Sequence, residues 1–340
     1  MRAGHFSWSP ESVRCNLCGN SDSAPLFHQD QHGLGLHTVM CRVCGLVYLN
    51  PRPRAADYDV FYRDWYHRMY PARAAFNAGK LGGRIAAECA RLRSLAYSAF
   101  LGERPTLLEI GPGEGAFLRA VRAAHPDAQV RGVDLSPREA GACRRQGLDV
   151  LCGRLRDLPA AYSGNTHVAL FHVLEHALDP VGLLREAAAR LAPGGYVFVE
   201  VPNILGSWRG LGMLHVAHPY QFAPATLSRA LAAAGFELVQ LQILETALLA
   251  SSLRAVARLG GCAPAAPVPA TPGVEEMRRL FAAKLRGWRL QLLAAAFKRR
   301  LAARVGPERA ARLWERTAGR GWERLLHPSH SPSGDTAPAR

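Results

Sequence analysis

Thr106-Leu107-Leu108-Glu109-Ile110-Gly111-Pro112-Gly113-Glu114-Gly115 is the stretch whose reading decides the fold. A short apolar run rich in strand formers stops at three glycines spaced two apart, and Ala116, Phe117, Leu118 and Val121 follow at helical spacing. The pattern predicts strand, tight turn, helix. Glycine suits a turn where the backbone must bend sharply and let a ligand come within contact distance. The next helix then offers unpaired N–H groups at its start. Nineteen residues after Gly115, a second short strand over 130–133 ends in Asp134. A carboxylate at the end of the neighbouring strand can accept hydrogen bonds from both hydroxyls of a ribose. The stretch therefore predicts a nucleoside site at the carboxyl edge of a parallel sheet.

Working outward, strands and helices alternate. A helix opens at Pro137 with Ser136 in the N-cap position, a short strand covers 148–151, and Asp157-Leu158-Pro159 follows. Strand 168–171 runs into His172-Val173-Leu174-Glu175-His176, and Asp179-Pro180 opens a helix to about Leu191. Pro193-Gly194-Gly195 turns the chain into strand 196–201, which Pro202-Asn203 ends. Repeated strand–helix–strand units predict an α/β fold, a parallel sheet with helices on both faces. Residues 204–224 read as a long loop ending in His215-Val216-Ala217-His218-Pro219-Tyr220-Gln221-Phe222; a helix (226–234) and a strand (236–244) follow, and 245–259 reads as helical. Upstream, Leu81, Ile85, Cys89, Leu92 and Leu95 mark an amphipathic helix over 80–101.

Cys15-Asn16-Leu17-Cys18-Gly19 and Cys41-Arg42-Val43-Cys44-Gly45 are two C-x-x-C-G knuckles. Each turn folds its second cysteine back beside the first, and two such turns complete a tetrahedral site of four sulfurs. Cys15, Cys18, Cys41 and Cys44 are thus the expected ligands of a structural Zn2+, because four thiolates leave no open position for catalysis. Cys89, Cys143, Cys152 and Cys262 lack such pairing and read as small apolar fillers. Between knuckles and sheet, residues 55–78 are dense in Tyr, Phe and Trp, to pack the ribbon on the next unit or to cover the site as a lid.

Charge is uneven along the 340 residues: the net is +15, and residues 254–340 hold 17 Lys+Arg against 6 Asp+Glu. A proline-rich linker near 262–273 introduces this basic quarter, whose helical periodicity (Met277, Phe281, Leu285, Trp288, Leu292) predicts a basic helical hairpin. No apolar stretch reaches bilayer length and no secretory leader pattern is visible, so a cytoplasmic location is expected.

Taken together, these motifs resemble the class I S-adenosylmethionine-dependent methyltransferases. The carriers are E-x-G-x-G-x-G after a strand, the acidic Asp134, Asp157 before Leu-Pro, and H-V-L-E-H-x-x-D-P with a later P-G-G-strand-P-N. The closest branch contains the ubiquinone-biosynthesis O-methyltransferases. The knuckles, followed by a strand and Asn50-Pro51-Arg52-Pro53, resemble the zinc-ribbon preface of bacterial methyltransferases, some of which C-methylate deoxysugars. The resemblance covers roughly residues 12–250. It implies a Rossmann-like class I methyltransferase sheet with an N-terminal zinc ribbon (12–53), an aromatic-rich helical lid or connector (54–101) and an S-adenosylmethionine-binding domain (102–260). A Pro-rich linker (261–274), a basic helical segment (275–326) forming the C-terminal helical hairpin, and a disordered tail (327–340) complete the expected organisation.

By position, the resemblance implies that Glu109, Gly111, Gly113 and Gly115 line the methionine end of S-adenosylmethionine. Asp134, with Leu135 after it, would hold the ribose, Asp157 and Leu158 the adenine, and His172 would border the sulfonium. One departure stands out: the family's usual Phe-Asp at the start of the fourth strand is Thr166-His167 here. His176 and His218 are the candidate general bases, since imidazole titrates near neutrality. A small-molecule or nucleotide-sugar acceptor is expected. G-x-G-x-G with a preceding glutamate argues against a nicotinamide dehydrogenase. Arginines alternating with apolar residues, and Glu200-Val201-Pro202-Asn203 where amino-methylating nucleic-acid enzymes differ, argue against a nucleic-acid substrate. A non-catalytic assembly protein remains the other reading, and the basic helices suit a peripheral membrane or protein contact.

Overall fold

The computed structural model describes residues 6–28, 30, 32–69, 80–208, 211–245, 251–260 and 268–286. Its centre is a seven-stranded sheet in the order β12-β13-β10-β9-β6-β7-β8. The strands are β6 (Thr106–Ile110), β7 (Gln129–Asp134), β8 (Asp149–Cys152), β9 (Asn165–Phe171), β10 (Leu191–Pro202), β12 (Phe236–Leu244) and β13 (Ser252–Leu259). β10, β9, β6, β7 and β8 pair in parallel. Val168, Ala169 and Leu170 of the central β9 are fully buried, as a strand covered by helices on both faces must be. Helices α3 (Lys80–Leu101), α4 (Ala116–Ala124), α5 (Pro137–Arg145), α6 (Pro180–Ala188) and α7 (Pro224–Ala233) flank the sheet. Two of them are capped as their sequences require: Ser136 accepts the Glu139 N–H and Asp179 the Gly182 N–H.

Two expectations are corrected. Within the stretch 245–259 expected as helix, Ser252–Leu259 is a strand: β13 inserts antiparallel between β10 and β12, so the sheet is mixed. What makes it a strand is a partner remote in sequence, Glu200, which stands opposite Arg254 in register. The buried face of α3 is also not the expected leucine stripe. Leu92 and Leu95 are exposed, whereas Ala90, Ser94, Tyr97 and Leu101 are buried. Tyr97 stacks on Phe198 at 4.2 Å, and Arg93 donates to Glu200 Oε2, which turns this face to the sheet.

A four-stranded sheet lies at the N-terminal end, in the order β11-β4-β3-β2. β2 (Ser23–Phe27), β3 (Thr38–Cys41) and β4 (Val47–Leu49) come from the knuckle region, with a two-residue pair β1 (Pro10–Glu11) and β5 (Arg52–Pro53) beside them. The fourth strand, β11 (Tyr220–Gln221), comes from the segment expected to be loop, pairing Tyr220 with Tyr48. Between the sheets lie α1 (Ala55–Val60), a π-helical turn (Phe61–Trp65) and α2 (Tyr66–Met69). Tyr58 and Phe61 are buried in a cluster with Leu36, Leu49, Val216 and Ala217. A helix over 274–286 (α8) buries Met277 and Phe281 against Met40, Val47, Ile204 and Trp208. Residues 70–79, 261–267 and everything beyond 286, including the expected second basic helix and tail, lie outside the described residues. No helix among the described residues is long and apolar enough to cross a membrane.

Candidate active site

The carboxyl ends of β9, β6, β7 and β8 form one continuous edge, and the chain reverses its direction of travel across the sheet between β6 and β9. Such a switch point leaves a crevice above the strands. The glycine turn opens it. Gly111 and Gly113 have φ of 66° and 55°, left-handed values that a Cβ disfavours. A Cβ on Gly111 would meet Val173 at 2.8 Å, whereas nothing lies within 4 Å of the Cβ position at Gly113, so that backbone is open to a ligand. Asp134 Oδ1 accepts the Ser136 N–H at 2.8 Å and Oδ2 accepts the Gly113 N–H at 3.2 Å, which ties the second strand end to the turn. Burial nonetheless raises the Asp134 carboxyl above its ordinary range.

Glu109 lies beneath this turn. It is 3% exposed and its Oε2 has no hydrogen-bond partner. Burial pushes its carboxyl up to about 8, Asp134 and Glu200 add to the rise, and Arg93 opposes it. A buried carboxyl oxygen without a partner is costly unless a ligand supplies one. Leu135 is 70% exposed, an apolar side chain standing in solvent immediately after Asp134. Asp157 is exposed at the end of a 3₁₀ turn (Leu155–Asp157) and Leu158 is buried beside it. These residues fit the two ends of S-adenosylmethionine: an orphan carboxyl for an ammonium, an open glycine backbone, and a carboxylate and apolar side chains for the nucleoside.

Where family sequences place Asp, His167 is buried and satisfied. Its Nε2 meets Phe100 O at 2.8 Å and its Nδ1 meets Thr166 Oγ1 at 2.7 Å, while Thr166 Oγ1 donates to Thr106 O at 3.0 Å. The departure thus re-knits β9 to β6 and to the end of α3 without touching the crevice.

The segment after β9 carries the other chemistry. His172 has φ of 56°, the one non-glycine residue with positive φ among those described. Such strain persists where surrounding contacts enforce it; here the His172 N–H donates to Glu200 O at 2.8 Å. Its Nδ1 lies 3.4 Å from Glu175 Oε1, and His176 Nε2 lies 4.0 Å from the same oxygen. Glu175 is 2% exposed. Burial alone would raise its pKa, but His172 and His176 more than offset that and hold it below the ordinary carboxylate range. His176 Nδ1 lies 2.5 Å from Ala217 O. A carbonyl only accepts, so Nδ1 carries the proton and Nε2 is the basic atom, facing an ionised glutamate. The His218 ring lies 4.7 Å from that of His176 and 3.9 Å from His215. Glu175, His176 and His218 each bring a ligand-type atom within 4.8 Å of the others.

The structure therefore brings together the two candidate bases, which are 42 positions apart in the chain. It also adds residues that sequence reasoning had not assigned to the site. Glu175 had no assigned role, yet it is the charge between two imidazoles. Tyr62 reaches from the π-helical turn, its hydroxyl 3.3 Å from His176 Nδ1 and donating to Ala217 O at 3.5 Å. Its signal was only the aromatic density of 55–78.

At the knuckles, Cys15 Sγ lies 3.4 Å from Cys44 Sγ and Cys18 Sγ lies 3.5 Å from Cys41 Sγ. All four sulfurs fall within 4.8 Å of one another. A tetrahedral zinc with bonds of about 2.3 Å spaces its sulfurs about 3.8 Å apart, so the set fits that ion closely. The Cys44 hydrogen bond draws the Cys15 thiol down to about 5, while the same bond raises Cys44 and burial raises Cys18.

Residues 81–241 match a family model described as a methyltransferase domain. The ubiquinone biosynthesis O-methyltransferase of Xanthomonas oryzae pv. oryzae (strain PXO99A) is 32% identical over 104 residues, 28% of this chain and 43% of that protein. The like-named protein of Bordetella pertussis (strain Tohama I) is 32% identical over 104 residues, covering 28% and 42%. The chain thus spans less than half the length of the curated relatives it matches. Among solved structures, 1,6-didemethyltoxoflavin-N1-methyltransferase of Burkholderia thailandensis, with 1,6-didemethyltoxoflavin and S-adenosylhomocysteine bound, aligns over 70% of this chain and 99% of its own at 19% identity and a TM-score of 0.48. Magnesium protoporphyrin IX methyltransferase of Synechocystis PCC 6803 aligns over 59% and 99% at 15% identity and a TM-score of 0.45. Residues 81–241 are thus similar to a methyltransferase domain, and the sheet they contribute to has a Rossmann-like strand order.

Proposed function

We propose that this chain transfers the methyl group of S-adenosylmethionine to an oxygen or carbon of a small-molecule or nucleotide-sugar acceptor, with His176 or His218 taking the acceptor's proton. The observation that carries the reading is the placement of an orphan buried glutamate and an open glycine turn on the same sheet edge as a clustered pair of histidines. The sulfonium, when bound, supplies an electrophilic methyl. What this chain must add is alignment and a proton acceptor. Glu109 would hold the ammonium, Asp134 with Leu135 the ribose, and Asp157 and Leu158 the adenine. The acceptor atom would stand in line with that methyl, and the sulfur would leave as a neutral thioether. Its proton passes to an imidazole, at Nε2 in the case of His176, where the Glu175 carboxylate 4.0 Å away stabilises the imidazolium. Cys15, Cys18, Cys41 and Cys44 hold a structural Zn2+ in this reading.

The test is a methyl-transfer screen with labelled S-adenosylmethionine on nucleotide sugars and phenolic acceptors. On any acceptor so found, replacing the base should slow turnover by about 10²–10⁴-fold. If His176→Ala and His218→Ala both keep near-wild-type turnover, the histidine role is wrong. If no acceptor is methylated although S-adenosylhomocysteine binds in calorimetry, the assembly-protein reading stands instead.

A further inference from the structure

The zinc knuckle and the histidine cluster meet through one side chain. Asn16 lies inside the first knuckle, between Cys15 and Cys18. Its Nδ2 donates to Asp179 Oδ1 at 2.7 Å, and its Oδ1 accepts the Val181 N–H at 3.0 Å. Asp179 is the N-cap of α6 and follows His176 by three residues. The carboxamide thus ties the first knuckle to the point where the histidine turn becomes helix. The second histidine segment is held from the same side. Arg52, just past β4, donates to Leu178 O at 2.9 Å and to Tyr220 Oη at 3.1 Å. Leu49 N–H donates to Pro219 O at 2.9 Å, directly after His218. Both strands of chain that carry the candidate bases thus end on the knuckle sheet, and His176 Nδ1 meets Ala217 O between those two anchors.

We infer that Asn16 is a positioning residue, and that filling of the four-cysteine site sets the alignment of His176 against the 215–218 segment through it. Without a metal, the two knuckles are joined through the Ser23–Cys41 pairing and the Arg42 N–H bond to Asp22 O, both of which lie beyond the first turn, so the carboxamide of Asn16 is held less firmly. The base pair would then drift while the S-adenosylmethionine crevice, built on β6, β7 and β8, stays as it was. This inference rests on the proposed roles of His176 and the cysteines, but its test does not require turnover.

The readout is the imidazole Nδ1–H resonance of His176 in ¹⁵N-histidine-labelled full-length protein, assigned by its loss in His176→Gln. Its short bond to Ala217 O makes it downfield and slow to exchange with water. Asn16→Ala, with zinc content verified as unchanged, should speed that exchange about tenfold, the mark of an opening made easier by a single lost anchor. Wild-type protein stripped of zinc by a chelator should show the same change. S-adenosylhomocysteine affinity by calorimetry should stay within about twofold in both, since a misaligned base need not disturb a cofactor crevice built on rigid strands. The exchanged pair Asn16→Asp with Asp179→Asn keeps one donor and one acceptor across the contact and should restore slow exchange, which a general loss of stability would not allow. Arg52→Met serves as the second variant if Asn16→Ala does not fold. An unchanged His176 resonance in both Asn16→Ala and stripped protein would overturn the inference, as would failure of the exchanged pair to rescue. Absence of methyl transfer with the expected resonance changes would refute the proposed function alone.

Discussion

At the scale of single residues, Glu109 makes the sharpest prediction. Its carboxyl titrates at about 8 in the folded chain against 4.5 ordinarily, so between those values the folded state holds a proton that the unfolded state has released. Stability from this group is therefore present below about 4.5 and lost as pH rises toward about 8. The melting temperature of the ligand-free protein should fall across that window, and Glu109→Gln should flatten the fall. If the orphan oxygen meets the ammonium of the cofactor, binding ionises the carboxyl. Calorimetry with S-adenosylhomocysteine at neutral pH, in buffers of differing ionisation enthalpy, should then show release of a fraction approaching one proton that Glu109→Gln abolishes. Glu109 was legible in the sequence because it sits inside the glycine motif. Glu175 was not: its meaning comes from two imidazoles whose placement depends on the left-handed backbone at His172, and no spacing rule encodes that turn.

At the scale of elements, the parallel strands and their helices were readable because each carries its own pattern: apolar runs, an N-cap, a glycine turn. β12 and the extent of α3 follow their periodicity closely. β13 failed for a physical reason. Ser252–Leu259 is rich in Leu, Ala and Arg, which favour helix in isolation. Its strand state is decided by Arg254 facing Glu200 across β10, with Nε 2.7 Å from Oε1, and by Arg93 on the other carboxylate oxygen. The same network sets the true face of α3, since Arg93 is one of its anchors to the sheet. Burial alone would raise the Glu200 carboxyl, and the two arginines hold it low instead. Its stabilising effect is thus present above the ordinary carboxylate value and disappears as pH falls through the depressed one. Arg254→Met should cost on the order of 3 kcal/mol in urea unfolding at neutral pH, because it uncovers part of a buried charge. That difference should shrink in acid.

At the scale of the whole molecule, the C-terminal helix changes its meaning. Read alone, the periodicity of Met277, Phe281 and Leu285 marked a helical face and not what that face packs on. In the fold its apolar residues are spent on the chain itself, with Phe281 set against Trp208 at 5.5 Å and Lys284 lying over the same indole at 5.1 Å. Phe281→Ala should lower stability by about 3–5 kcal/mol. It should also shift Trp208 emission to longer wavelength and open the 204–214 segment to limited proteolysis. An unshifted emission would show that the helix is dispensable to that packing. The borrowed strand β11 carries a last consequence, in the order of assembly during synthesis. The cysteine knuckles leave the ribosome well before Tyr220, yet the sheet they belong to gains its outer strand only when that residue arrives, more than 170 residues after Tyr48. Until then the edge of β4 stands open to pairing with other chains. Nascent chains halted before Tyr220 should therefore aggregate more than chains halted just after Gln221.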